Sequence, residues 1–246
     1  MYRFVRALHN YLGLILFIQI GLWFFSGLVM AYLPIEEVRG NHLKAKVDTL
    51  WHGASISPEE VLRQHADTAT LSFTHRLSLI TAQNTPANKQ LTSIPVYQVT
   101  QDNQLFSYNA LSGEVLAPIN EEGIQALAFS QYLGTGAVDT VLMLTALPQE
   151  VKNLTLPLWQ VSFNDELGTR FYLNPETGAV QRVRTDTWRL FDFMWMLHIM
   201  DYKDRSNFNS PWLIAFAASA LFFTLTGVVL LYKRFTPKRR RRIFKH

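Results

Sequence analysis

Residues 95–118 read PVYQVTQDNQLFSYNALSGEVLAP, and residues 157–183 read PLWQVSFNDELGTRFYLNPETGAVQRV. Laid over one another at an offset of about 62, the two stretches carry the same pattern. Val96 and Gln98 in the first, and Leu158 and Gln160 in the second, alternate with their neighbours as half-buried strands do. Asp102-Asn103 and Asn164-Asp165 supply hairpin turns, while Ser112-Gly113 and Thr177-Gly178 supply tight turns that need a positive φ at the glycine. Each stretch also follows a helix start, ISPEEVLRQHA at 56–66 and INEEGIQALAF at 119–129. In both, a polar cap candidate (Ser57 or Asn120) precedes two glutamates in the first turn and then apolar residues at helical spacing. The pattern predicts a helix followed by an antiparallel meander, twice over, and therefore an α+β fold.

Two uncharged apolar runs flank this block, at 10–33 and 211–232. Each exceeds the ~20 residues that a helix needs to cross a bilayer. Arg3 and Arg6 precede the first run, and the basic tail from Lys233 to Lys245 follows the second. The charges divide into +10 on the termini and −6 between the runs, so the positive-inside rule puts both termini in the cytoplasm and residues 34–210 on the other side. The net charge of +4 is thus a property of the termini and does not point to nucleic acid. The tail KRFTPKRRRRIFKH fits a topology signal attracted to anionic lipid headgroups. The first run is longer than a signal-peptide core and ends in MAYLPIEE without a small-x-small cleavage site, so it reads as a retained anchor. The absence of cysteine excludes disulfides, thiolate metal sites and haem attached through thioethers.

The predicted organisation is a first transmembrane helix within 1–33, helix-plus-meander repeats at 34–118 and 119–186, an aromatic interfacial helix at 187–205, a second transmembrane helix at 211–232 and a cytoplasmic tail at 233–246. The interfacial helix is read from TWRLFDFMWMLHIMDY (187–202), where Trp188, Phe191, Trp195, His198 and Tyr202 fall at i+3/i+4 spacing. Trp and Tyr rings on such a face suit headgroup level.

The segments RALHNYLGL, LSGEVL, NPETGAV and WMLHIMDY resemble PepSY domains and the membrane segments of the PepSY-associated transmembrane, or iron-regulated membrane protein, family. The likeness covers nearly the whole chain. It implies a bacterial inner-membrane protein with a duplicated periplasmic PepSY-like domain, and some relatives are haem-b-containing reductases of ferric siderophores. Those relatives have four transmembrane helices, where this chain shows two.

Among seven histidines, His9 and His198 are the two at membrane-associated positions. With no cysteine, and no acidic residue inside either run, a membrane cofactor would be held by neutral imidazole, with haem b the leading case. His9 begins an i+3/i+4 stripe through Gly13, Leu16, Ile20, Trp23 and Gly27, whose glycines leave room for a flat group or another helix. The expected site is therefore His9 and His198 on haem iron, with Gly13, Trp188, Trp195 and Tyr202 around it. The bland alternatives are a helix-capping His9 and an aromatic belt that happens to include His198. A hydrocarbon thickness separates the two histidines, so each would pair with its counterpart in a twofold dimer.

Gln19, Ser26, Thr224 and Thr226 read as interhelical contacts, and Ala215 with Ser219 as a small-xxx-small packing face. His42 and His52 lack partners at metal spacing, and His65 and His75 read as ordinary domain residues. No phosphate-binding loop, dinucleotide fingerprint, nucleophile elbow or zinc-protease motif occurs. The sequence thus predicts an inner-membrane electron-transfer protein working toward a periplasmic acceptor such as a ferric siderophore. Its donor would be external, a quinol or partner membrane redox protein. The alternative is a cofactor-free, membrane-anchored PepSY module that regulates or assembles a neighbouring complex.

Overall fold

The computed structural model describes residues 2–47, 53–81 and 89–236. His52, His246 and the basic tail beyond Thr236 lie outside the described residues. Contacts divide the chain into two units: residues up to Pro34 with those from Leu190 onward, and Ile35–Arg189.

The second unit has the predicted repeat. Helix α3 (Pro58–Leu62) precedes a four-stranded antiparallel sheet in the order β1 (Thr70–Thr81), β2 (Lys89–Gln101), β3 (Gln104–Asn109), β4 (Val115–Leu116). Helix α4 (Glu121–Gln131) precedes a second meander, β5 (Ala137–Leu144), β6 (Leu158–Asn164), β7 (Arg170–Leu173), β8 (Val180–Arg184). Both helices start where the caps predict. The Ser57 hydroxyl accepts from Glu60 N, and the Asn120 side chain accepts from Gly123 N. Asp102 and Asn103 adopt φ of 50° and 61°, a two-residue hairpin with Gln101 opposite Gln104. The corresponding turn after Asn164 is longer than Asn164-Asp165 alone. It runs to Thr169 because the Asp165 carboxylate accepts from Thr169 N, and Gly168 takes φ 57°.

One core joins the repeats. Ile124, Leu127 and Ala128 of α4 pack with Val161, Phe163 and Phe171 of the second sheet and with Leu77 of the first. Gly178 sits under this core at φ +68°, where a Cβ would lie 2.6 Å from Leu127 Cδ1, so both backbone and space demand glycine. A smaller core unites Val61 of α3 with Tyr97, Val99, Tyr108 and Ala110. The strands are buried more deeply than simple alternation implies. Leu158 and Tyr172 are covered on the back of the second sheet by Val151, Leu147 and Leu154 from the long β5–β6 connection.

The other unit contains α1 (Tyr2–Tyr32), most of α5 (Asp186–Ile199) and α6 (Pro211–Phe235). A short helix, α2 (Ile35–Val38), opens the second unit. Helices α1 and α6 are long and apolar enough to cross a membrane. They pack antiparallel, His9 against Thr226 and Gly13 against Phe223, and their remaining faces expose large apolar side chains such as Leu14, Phe24, Leu221 and Val228. The aromatic helix is shorter than the predicted 187–205. It stops at Ile199 because Met200 turns left-handed at φ 55° and the Asp201 carboxylate accepts from the amides of Lys203, Asp204, Ser206 and Asn207. Those amides, Asn207 and Ser206 foremost, hold Asp201 well below the usual carboxylate range.

Candidate functional site

His9 faces α6. Its ring stacks on Phe223 with centroids 4.3 Å apart and planes 6° from parallel, and its Nδ1 lies 2.8 Å from the Thr226 hydroxyl. Two glycines permit this approach. A Cβ on Gly227 would meet His9 Cε1 at 3.1 Å, and one on Gly13 would meet the Phe223 ring at the same distance. The room that Gly13 leaves is thus taken by a neighbouring helix.

His198, near the end of α5, faces α1. Its Nδ1 lies 3.1 Å from the Ser26 hydroxyl, and Gly27 leaves its Cα 's side open to the imidazole, where a Cβ would meet His198 Cε1 at 3.5 Å. Both contacts use one device: a hydroxyl residue followed by glycine, Ser26-Gly27 on one helix and Thr226-Gly227 on the other, set against a histidine.

The hydroxyls also bear on which ring nitrogen carries the proton. A hydroxyl has one hydrogen. Thr226 donates it to the Phe223 carbonyl at 2.7 Å, and Ser26 donates it to the Trp23 carbonyl at 3.3 Å. With the hydroxyl hydrogen on the carbonyl, each oxygen accepts from the imidazole, and that arrangement puts the ring hydrogen on Nδ1 and the lone pair on Nε2. A metal-binding histidine is oriented in this way by its outer partner. Ser26 is fully buried and Thr226 is 6 % exposed, while both imidazoles are half-buried. Ser26 lies seventeen residues beyond His9 on α1, about 26 Å along a regular helix, so the two rings belong to separate sites. Between them Gln19 Nε2 and Trp23 Nε1 are buried with no hydrogen-bond partner among the described residues.

The other predicted residues are dispersed. Trp195 Nε1 donates to the Arg205 carbonyl at 3.2 Å, in a loop that Asp192 also ties down through Arg205. Tyr202 falls beyond the helix end and is 56 % exposed. Trp188 belongs to the other unit, where its ring lies under the Arg184 guanidinium at 4.1 Å. His65 is a satisfied domain residue, bonded to Gln101 and to the Tyr108 hydroxyl, and His42 is exposed. Among the described residues no three His, Asp or Glu side chains gather as a metal-binding group.

One polar centre escaped the sequence reading. The Glu150 carboxylate, in the β5–β6 connection, accepts from the Tyr172 hydroxyl at 2.5 Å, Arg189 Nε at 3.0 Å and Arg170 Nη1 at 3.2 Å. Burial alone would raise its pKa. The Tyr172 hydroxyl and the two guanidiniums outweigh that and bring it below the ordinary value, while burial and the same bond push Tyr172 up. Arg189 extends the network to Asp186 and the Gly168 carbonyl. Every carboxylate oxygen is occupied by a local partner, which makes this a structural clamp at the base of α5.

Comparison of the chain with known proteins gives no matching family model, no matching curated protein and no matching solved structure. The likeness to PepSY proteins accordingly stands on the residues quoted for it.

Proposed function

We propose that the chain is an inner-membrane electron-transfer protein that holds haem b through His9 and His198 and passes electrons toward a periplasmic acceptor. The observation that carries this reading is the pair of imidazoles, each with Nδ1 engaged by a buried hydroxyl and with Nε2 left as the donor atom. A histidine kept only to join two helices needs no such control of its second nitrogen. Haem iron, when bound, supplies one-electron redox chemistry at a potential set by its axial ligands. The chain's own part is to fix the tautomer, to orient the ring and to exclude water with the apolar faces of α1 and α6.

One chain offers one imidazole at each level, about 26 Å apart by helix rise. A twofold pair of chains would supply two at each level and four membrane-crossing helices in all. The periplasmic acceptor is proposed as a ferric siderophore or a partner redox protein, and the donor as a quinol or another membrane protein.

A second reading has an observation of its own. The His9 ring is already stacked on Phe223 and bonded to Thr226, a complete interhelical contact without any cofactor. On that reading the protein is an anchored PepSY-like interaction module. The visible spectrum of the purified full chain, oxidised and dithionite-reduced, decides between them. Reduced α and β bands that His9→Ala and His198→Ala each diminish are expected. A featureless trace, or bands that neither substitution changes, would overturn the electron-transfer reading.

A further inference from the structure

Both sheets of the Ile35–Arg189 unit are open, so each has two edge strands with backbone groups that a further strand could pair. Three of the four edges carry a device against that. Strand β4 is two residues long. Strand β1 carries His75 and Arg76, and beyond them Leu77 N donates to the Thr177 carbonyl of the second repeat at 2.8 Å. Strand β8 carries Arg182 and Arg184 and lies against the turn after α2. There a Cβ on Gly40 would come 2.5 Å from Val183 Cγ1, and Lys44 Nζ donates to the Val180 carbonyl at 3.2 Å.

The outer edge of β5 differs from these. The strand reads AVDTVLML, without Lys, Arg or Pro, and its one charge is Asp139. It bonds to β6 on one side, and among the described residues its other side makes no backbone hydrogen bond. No residue of the strand is buried, whereas β6 beside it buries Leu158, Trp159, Val161 and Phe163.

Leu142 is 52 % exposed and Met143 43 %. Neighbours on a strand point to opposite faces, so this edge is apolar on both sides of its sheet. A bulge occupies only the start of the strand. The register steps from Val138 to Thr140, which leaves Asp139 out of the ladder. Residues 140–144 then run in regular register with β6, uncharged to the end of the strand.

We infer that the outer edge of β5, along residues 140–144, is an interface at which a second copy of this chain adds its own β5 antiparallel. Two features select a second copy over a foreign strand. Antiparallel pairing about a twofold axis sets 140–144 against itself with no charge in the ladder, where like charges opposite one another would be destabilising. Helices α1 and α6, long and apolar enough to cross a membrane, also hold copies of the chain in one bilayer and so raise the local concentration of this partner. The interface needs no haem, and its test reads none, so it and the electron-transfer reading fail separately.

The chain has no cysteine, so single cysteines report on one position each. The test takes the full chain in non-ionic detergent with Thr140→Cys, Val141→Cys, Leu142→Cys or Met143→Cys, and with Leu105→Cys, exposed on β3, as the control. A residue on the twofold axis faces its own counterpart at about 4.5–5.5 Å between Cα atoms, within reach of a disulfide, and a residue two places along lies beyond it. Mild oxidation is expected to give linked dimers that peak at one or two adjacent positions of β5 and exceed the control. Leu142→Lys, at an exposed position, is expected to keep the wild-type thermal midpoint and to weaken the dimer at least about tenfold by light scattering. A monomeric wild-type chain, cross-links no stronger along β5 than at Leu105, or a dimer that Leu142→Lys leaves intact would overturn the assignment.

Discussion

Replacing Thr226 by valine keeps the shape of the side chain and removes one oxygen, and that oxygen sets the tautomer of His9. In the wild type it lies 2.8 Å from His9 Nδ1, in a residue that is 6 % exposed, and with its own hydrogen on the Phe223 carbonyl it accepts from Nδ1–H. In the variant the Nδ1–H is left without an acceptor, or the ring moves its hydrogen to Nε2 and withdraws the lone pair that would meet iron. Hydrogen bonds between apolar helices contribute about 0.6–2 kcal/mol. Outer partners of metal-bound histidines change affinity by roughly 10–100-fold, or about 1.4–2.7 kcal/mol. Thr226→Val is therefore expected to weaken haem retention by about tenfold or more, measured as the rate and extent of haem transfer from the purified protein to excess apomyoglobin. Thr226→Ser restores the oxygen and should restore most of the affinity. Thr226→Val with unchanged retention, alongside a His9→Ala that loses haem, would refute the tautomer argument and leave His9 a ligand held by packing alone.

Other outcomes follow from the same geometry. Gly227→Ala places a methyl 3.1 Å from His9 Cε1 and should shift the haem spectrum or potential, whereas Gly27→Ala meets His198 at an ordinary 3.5 Å and should change both far less. Equal effects on spectra would contradict the close-approach argument. Glu150→Gln weakens two ion pairs at a carboxylate 10 % exposed, and should lower the stability of the Ile35–Arg189 unit by about 3 kcal/mol in urea unfolding. Because the folded pKa of Glu150 lies below its unfolded value, its contribution is present above about pH 4.5 and is lost as pH falls through the folded value. Wild-type stability should drop over that range more steeply than that of Glu150→Gln. Tyr132 shows the opposite sign. Burial and the bond to Asp165 raise it to about 12, so its contribution holds below pH ~10 and fades between about pH 10 and 12, a loss that Tyr132→Phe should lack.

The repeat was legible because its signals are local. Ser57 and Asn120 cap helices, Asp102-Asn103 turns a hairpin, and Gly113 and Gly178 take positive φ, each dictated by residues within a turn of one another. The extent of α5 was not legible from periodicity. The aromatic stripe continues in register to Tyr202, but Asp201 captures four backbone amides and ends the helix at Ile199. His9 and His198 stood out by residue type, and Ser26 and Thr226 were legible as interhelical contacts without their partners. The pairing depends on helix packing, although a hydroxyl followed by glycine in each apolar run was the available signal. Glu150 left no local mark. Nor did the docking of the turn after α2 on β8, which Gly40 permits at φ +70° against Val183 and Lys44 fastens at the Val180 carbonyl.

Haem binding at both histidines is decided by the ratio of haem to polypeptide in the purified full chain, determined by pyridine haemochrome assay against quantitative amino-acid analysis. About one haem per chain is expected in the wild type, about half that in His9→Ala and in His198→Ala, and none in the double variant. A wild-type chain with no haem, or a double variant with the wild-type ratio, would contradict it.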